Sequence, residues 1–445
     1  MSQDLFTLPR PSVDPTVGNL AEYNQDPLGF LTRCAIEYGE IVPLRFGSYL
    51  ACLLSNPNDI EEVLKNSLLF VKAKDLRIIH GLIGNGLLSS EGDFWQRQRR
   101  LVQPVFHQQR INSYGEIMVD YTERMLSTWH DGEIRDIHEQ MMRLTLNIVM
   151  KTIFNQDVTE GEASSIAHAL EVGLNWFDSQ NKSGFEEDRN PTPEDIRYGK
   201  AIDLLDQTIY AIINQRRSNG GNGGDLLSML MQVKDEDDGS QMTDQQLRDE
   251  VATMILAGHE TTANTLSWTW MLLAQHPEVQ AKLVEELQAV LGGRSPTIAD
   301  LPRLRYTSMI IKESMRLYPP ITDVTREAIR DCEIGGYFVP AGCTIIMSQW
   351  VMHRNSRYFP NPEVFNPERW ANDLEKQLPR GVYFPFGDGL RICIGKSFAL
   401  MEATLLLATI AQKFQLHLVP EHLIVLQPSL TLRPKYGIQV VLKKF

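Results

Sequence analysis

The stretch Phe386-Gly387-Asp388-Gly389-Leu390-Arg391-Ile392-Cys393-Ile394-Gly395 places one cysteine in a glycine-punctuated loop, directly before an amphipathic helix predicted over 396–414. Glycine permits backbone turns that a residue with a Cβ resists, so the loop can wrap closely under a flat group. The unpaired N–H groups and partial positive charge of the helix N-terminus favour thiolate over thiol at Cys393. A buried thiolate of this kind is the axial ligand with which a haem iron receives electron density for bound oxygen. Arg391 can reach a carboxylate of such a group, and Phe386 can pack on the thiolate side of its ring. A lone cysteine in this position is ordinarily a small hydrophobe. The joint spacing of Phe386, Gly389, Arg391, Cys393 and Gly395 sets this one apart.

Other stretches supply complementary chemistry. Thr243 and Gln246 form a capping box before a long apolar helix that runs to about Gln275, where His276-Pro277 stops it. Its middle reads Ala257-Gly258-His259-Glu260-Thr261-Thr262. Glycine and paired threonines loosen a helical ladder, so a break is expected there. Gly258 would give room for O2, Thr261 a hydroxyl, and Glu260 an acid to relay protons. The fifth residue counted from His259 is Ala263, which excludes a zinc H-E-x-x-H site. Trp95 and Arg99 share one helix face and can both donate to a carboxylate. Glu313 and Arg316 lie one turn apart among apolar neighbours, and Pro319-Pro320 ends their helix.

In this order these stretches resemble the cytochrome P-450 superfamily of haem-thiolate monooxygenases, over the whole chain. The resemblance implies haem b with Cys393 as the axial iron ligand. Trp95, Arg99, Arg326 and Arg391 would hold the propionates, and Phe386 and Gly258 would flank the ring. It pairs Glu313 and Arg316 with Arg369 of Pro367-Glu368-Arg369-Trp370 in a structural network, with Trp370 where the family often has Phe and Ala341 where it usually has Lys. It implies a substrate-sorting loop over 70–90, mobile lid helices around the polar stretch 178–192, and a proton relay through Glu260 and Thr261. One atom of O2 would enter a lipophilic substrate. Electrons would come from a ferredoxin or flavodoxin with its reductase, since the chain carries no flavin or iron–sulfur module. An H2O2-dependent peroxygenase is the alternative, disfavoured by the Glu260/Thr261 pair; a non-catalytic haem sensor is a third reading.

The chain has 445 residues, 43% of them hydrophobic, enough for a large core. A prior of ~150 residues per domain would suggest three units. No linker supports a split, so one catalytic domain over 1–445 is expected, mainly α with a smaller β region and a proline-rich segment at 1–20. The net charge of −13 argues against nucleic acid as partner. Five scattered cysteines without CxxC suit a reducing cytoplasm. No signal peptide or membrane-spanning run is legible, so a soluble cytoplasmic protein without a transmembrane anchor is expected. The segments 76–88, 172–177, 256–261, 319–324 and 430–432 are mainly apolar and point to a fatty acid, terpenoid or carotenoid. Lys72, Lys74 and Arg77 are placed at a channel mouth where a substrate carboxylate could dock. Arg97 and Arg100 are placed on a partner-facing surface. The glycine-rich loop 218–224 lacks the Lys-Ser/Thr of a phosphate loop.

Overall fold

The computed structural model describes residues 3–155, 160–183, 191–218, 225–235 and 239–445. The glycine-rich segment 219–224 and most of the polar stretch around 184–190 lie outside them.

One helix organises the rest. Asp244–Gln275 is an α-helix of 32 residues. The Thr243 side chain accepts from Gln246 N, and Gln246 Oε1 accepts from Thr243 N at 2.8 Å. Pro277 opens the next helix, Pro277–Leu291. At 1.5 Å per residue the long helix spans about 48 Å. It is the spine of two hydrophobic clusters. Its C-terminal half, with Trp268 and Trp270 fully buried, packs into a cluster with Ile310, Ile311, Leu405 and Leu406. Its N-terminal half, with Val251 and Ile255, joins Leu82 and Ile83 and the helices Glu160–Ser183 and Pro193–Ser218. The helix Ile137–Phe154 lies along both halves. The predicted break is not a gap in the helix: residues 244–275 are helical throughout. The loosening takes the form of threonine hydroxyls bonding back, Thr261 to Ala257 O at 2.7 Å and Thr265 to Thr261 O at 2.9 Å.

The β region is small. Its largest sheet has five strands in the order Ile41–Phe46, Tyr49–Leu54, Thr344–Met347, Val324–Ala328, Phe70–Lys72. Ile41–Phe46 and Tyr49–Leu54 form a hairpin, turned at Gly47 with φ +58°. The register of the last pair sets Lys72 opposite Arg326. A separate antiparallel pair, Leu426–Pro428 with Leu432–Pro434, carries residues 429–431 to the cavity described below.

Several local expectations are corrected. The helix after Cys393 is Lys396–Ala411, and Phe414 opens a strand. The helix at 57–65 is capped by Asn56, which accepts from Asn58 N and Asp59 N. The segment 70–90, read as a loop, contains a strand and two short helices before a half-buried turn. Among the described residues no helix is long and apolar enough to cross a membrane.

Candidate active site

The cysteine loop closes on itself: Cys393 N donates to Phe386 O at 2.9 Å. Gly389 sits at φ +68°, and a Cβ there would stand 2.3 Å from Leu64 O, so only glycine fits. The Cys393 side chain is exposed, but onto an internal cavity of about 490 Å³ rather than onto bulk water. Protein atoms still surround the sulfur, and burial pushes the thiol's pKa up. The Gly395 N–H, Arg99, Lys396 and the Lys396 N–H oppose that rise without cancelling it. The loop and helix N–H groups do favour thiolate, as expected, but burial outweighs them.

Positive charge gathers on one side of the same cavity, where Trp95, Arg99, Arg326 and Arg391 all reach the wall. Arg99 Nη1 donates to Ile392 O at 3.0 Å, tying its helix to the residue before Cys393. The Arg391 guanidinium lies 3.7 Å above the Trp95 ring, donates to Ser90 O at 2.9 Å, and pairs with Glu91. Burial, and then neighbouring cations, lower the pKa of Arg391 to about 10; burial likewise lowers that of Arg99.

A fourth cation was misplaced by the sequence reading. Lys72 is not at a channel mouth: it is 7% exposed and donates to the carbonyls of Leu87, Leu88 and Ser90. Its pKa falls to about 7, through burial first and then Arg391. The sequence signal was there, since Phe70 and Lys72 alternate onto the buried face of one strand. Lys74 Nζ lies 5.5 Å over the Tyr49 ring; the Arg77 side chain lies outside the described atoms. Arg97 and Arg100 both pair with the buried Asp235, at 3.0 and 3.4 Å, and the Arg100 side chain stays half exposed.

On the long helix, Gly258, Glu260 and Thr261 all line the cavity. A Cβ at Gly258 would meet Val149 Cγ2 at 3.2 Å, so this glycine also lets the helix Ile137–Phe154 approach. Glu260 and Thr261 are not bonded to each other. Glu260 Oε1 accepts from Thr431 Oγ1 at 2.7 Å and lies 3.5 Å from Arg433 Nε; its Oε2 has no hydrogen-bond partner among the described residues. Asn264 Nδ2 donates to Thr431 Oγ1 at 3.1 Å. Arg433 also reaches Asp178 of the helix Glu160–Ser183, at 3.3 Å. Burial raises the Glu260 pKa, against the pull of Arg433 and Thr431. Thr431, Arg433 and Asp178 were not named as partners of Glu260 from sequence, because they lie far from it along the chain.

Glu313, Arg316 and Arg369 do come together. Arg316 donates to both Glu313 oxygens at 2.9 and 2.8 Å, and Arg369 Nε lies 3.2 Å from Glu313 Oε1. Trp370 Nε1 donates to Glu313 Oε2 at 2.9 Å, a member the sequence reading left out. Glu313 and Arg316 are fully buried.

The donor set of the cavity suits a flat group with acidic substituents and a central metal: one soft sulfur ligand, four clustered cations, and apolar walls such as Leu87, Val149, Leu256 and Leu430.

A profile of the family "Cytochrome P450" matches residues 8–442. Cyclooctat-9-en-7-ol 5-monooxygenase of Streptomyces melanosporofaciens is 36% identical over 412 residues, 92% of this chain and 89% of that protein. Pentalenene oxygenase of Streptomyces avermitilis is 33% identical over 429 residues, covering 95% and 94%. The crystal structure of the cytochrome P450DA heme domain superposes with a TM-score of 0.89 at 28% identity, covering 98% of each chain.

Proposed function

Because the chain belongs to the cytochrome P450 family and is a monooxygenase of that class, we propose that it places one atom of O2 into a neutral, terpenoid-like lipophile at a haem b ligated by Cys393. The observation that carries this reading is the sulfur of Cys393 opening onto a cavity shared with Thr261, Glu260 and four clustered cations.

The haem, when bound, supplies the activation of oxygen. Trp95, Arg99, Arg326 and Arg391 would hold its acidic side chains, Phe386 would pack on the sulfur side, and Gly258 would leave room for it beside the long helix. Thr261 presents a hydroxyl at the cavity, and Glu260, kept protonatable by burial, delivers protons to it through solvent in the cavity. Thr431 and Arg433 orient Glu260 for that task. Glu313, Arg316 and Arg369 lock the framework beside the cysteine loop. The chain works as one catalytic domain and takes electrons from a separate ferredoxin or flavodoxin with its reductase.

The apolar wall favours a lipophile, and the names of the two relatives favour a terpenoid. Lys72 is committed to three carbonyls, which removes the basis for a carboxylate anchor at a channel mouth. The test is incubation with a terpene panel, a ferredoxin system and 18O2. A product carrying one 18O atom is expected. Oxidation that proceeds only with H2O2 would instead establish the peroxygenase.

A further inference from the structure

Two buried polar atoms on the cavity wall have no hydrogen-bond partner among the described residues, and they sit together. Glu250 and Thr253 are three residues apart on the long helix, hence on one face. Both line the cavity. Glu250 is fully buried and Thr253 is 6% exposed. Glu250 Oε2 accepts from Leu87 N at 3.2 Å, but Oε1 has no partner, and neither does Thr253 Oγ1. Leaving such atoms unpaired in a protein interior is costly, so a complementary ligand group gains by filling the gap.

We infer that Glu250 and Thr253 form a recognition site for a hydroxyl group on the substrate, so that the natural substrate is an already oxygenated, neutral lipophile. The inference rests on the monooxygenase reading above and adds the substrate's polar group to it. A hydroxyl is one donor and one acceptor. Glu250 Oε1 accepts; Thr253 Oγ1 can donate. The surroundings are of mixed charge. Glu250 faces Asp249 on one side and Lys72 on the other, so the site offers no excess of one sign for an ionised group, and a neutral hydroxyl meets both without leaving a charge buried. Gly86 lets the loop backbone close over the site: a Cβ there would stand 2.3 Å from Thr253 Oγ1. Along the helix axis Thr253 and Glu250 lie about 12 and 16 Å from Thr261. The hydroxyl and the carbon to be oxidised therefore lie at opposite ends of a sesquiterpene- or diterpene-sized skeleton. The existing oxygen must come from an earlier hydroxylation or from a cyclisation that captures water.

The experiment uses haem-loaded protein and a panel of sesquiterpene and diterpene hydrocarbons, each matched with its own mono-alcohol. Dissociation constants are read from the Soret shift for wild type, Glu250→Gln, Glu250→Leu and Thr253→Val. Wild type should bind at least one alcohol about tenfold or more tighter than its hydrocarbon, the scale of a buried hydrogen bond to a carboxyl. Glu250→Leu and Thr253→Val should bring that ratio toward one while hydrocarbon affinity holds or improves; Glu250→Gln, which keeps an acceptor, should retain most of it. Equal binding of alcohol and hydrocarbon by wild type overturns this inference alone. So does a Glu250→Leu effect that is the same for both panels, since that means Glu250 faces the cofactor instead. If no compound of either panel shifts the band, the lipophilic-substrate reading falls and takes this inference with it. The Fe(II)–CO spectrum of each variant reports haem content separately.

Discussion

Two clusters of charge lie in this protein, built from the same residue types and left in opposite states. Around Glu313 the network is closed. Its carboxylate receives Arg316, Arg369, Trp370 and the Asn366 N–H, and Arg316 spends further donors on the carbonyls of His353, Pro362 and Val364. Around the cavity the network is open. Arg99, Arg326, Arg391 and Lys72 crowd together with their affinity for protons lowered at three of the four, while Glu250 and Glu260 each keep an oxygen without a partner among the described residues. A closed ionic network holds a framework; one with acceptors to spare is a request for a ligand. Burial alone does not distinguish them, because both are buried. The unfilled carboxylate oxygens do.

The comparison can be broken in several places. Cys393→Ala should abolish both the red-shifted Fe(II)–CO band of a thiolate ligand and all O2-dependent turnover; persistence of that band would remove the axial role from Cys393. Glu313→Ala leaves two guanidiniums buried without a counterion and should cost about 3–5 kcal/mol, read as lost folded yield or a lower unfolding midpoint. Arg391→Ala, in the open cluster, should instead lower haem retention with a smaller loss in stability of the polypeptide. If the two variants behave alike, the distinction between closed and open fails. Thr261→Ala should send electrons to peroxide or water in place of product, lowering the coupling ratio roughly tenfold or more; unchanged coupling would falsify its role. Arg433→Leu withdraws a cation that lowers the Glu260 pKa, so that pKa should rise and the corresponding limb of the pH–rate profile should move to higher pH.

The smallest effect concerns Glu250. Burial, with Asp249 adding to it and the Leu87 N–H and Lys72 opposing, raises its pKa to about 7. A carboxyl raised in the folded state contributes stability that is complete below its unfolded pKa and lost as pH rises through the folded value. Glu250→Gln should therefore be more stable than wild type at neutral pH, by on the order of 2 kcal/mol, and the gap should close as pH falls toward 4.5. Thermal midpoints across that range measure it; a constant gap would refute the assignment.

What could be read from the sequence was whatever depends on spacing along the chain. The cysteine loop, Glu260-Thr261, the Trp95/Arg99 helix face and Glu313/Arg316 are local patterns, and each stands in the structure with its neighbours where the spacing put them. What escaped was set by contacts between distant segments. Nothing near Glu260 in sequence points to Thr431 or Arg433, and nothing near Lys72 points to the carbonyls of Leu87 and Leu88. The electrostatics of Cys393 were legible only in part: the helix terminus and loop N–H groups that lower its pKa are local and visible, while the burial that opposes them is a property of the assembled cavity.

The turn at 84–90 is gripped in an unusual manner. Asp249 holds Asn85 N, Glu250 holds Leu87 N, Lys72 holds the carbonyls of Leu87, Leu88 and Ser90, and Arg391 holds Ser90 O. Every one of these anchors takes a main-chain atom. Leu87 and Leu88 line the cavity and also pack against the core cluster around the N-terminal half of the long helix. The polar grip on the turn is indifferent to which apolar side chain stands at these two positions. Successive generations, or a directed library, can exchange one apolar side chain for another there, and so rewrite what the enzyme accepts, while the main-chain anchors hold.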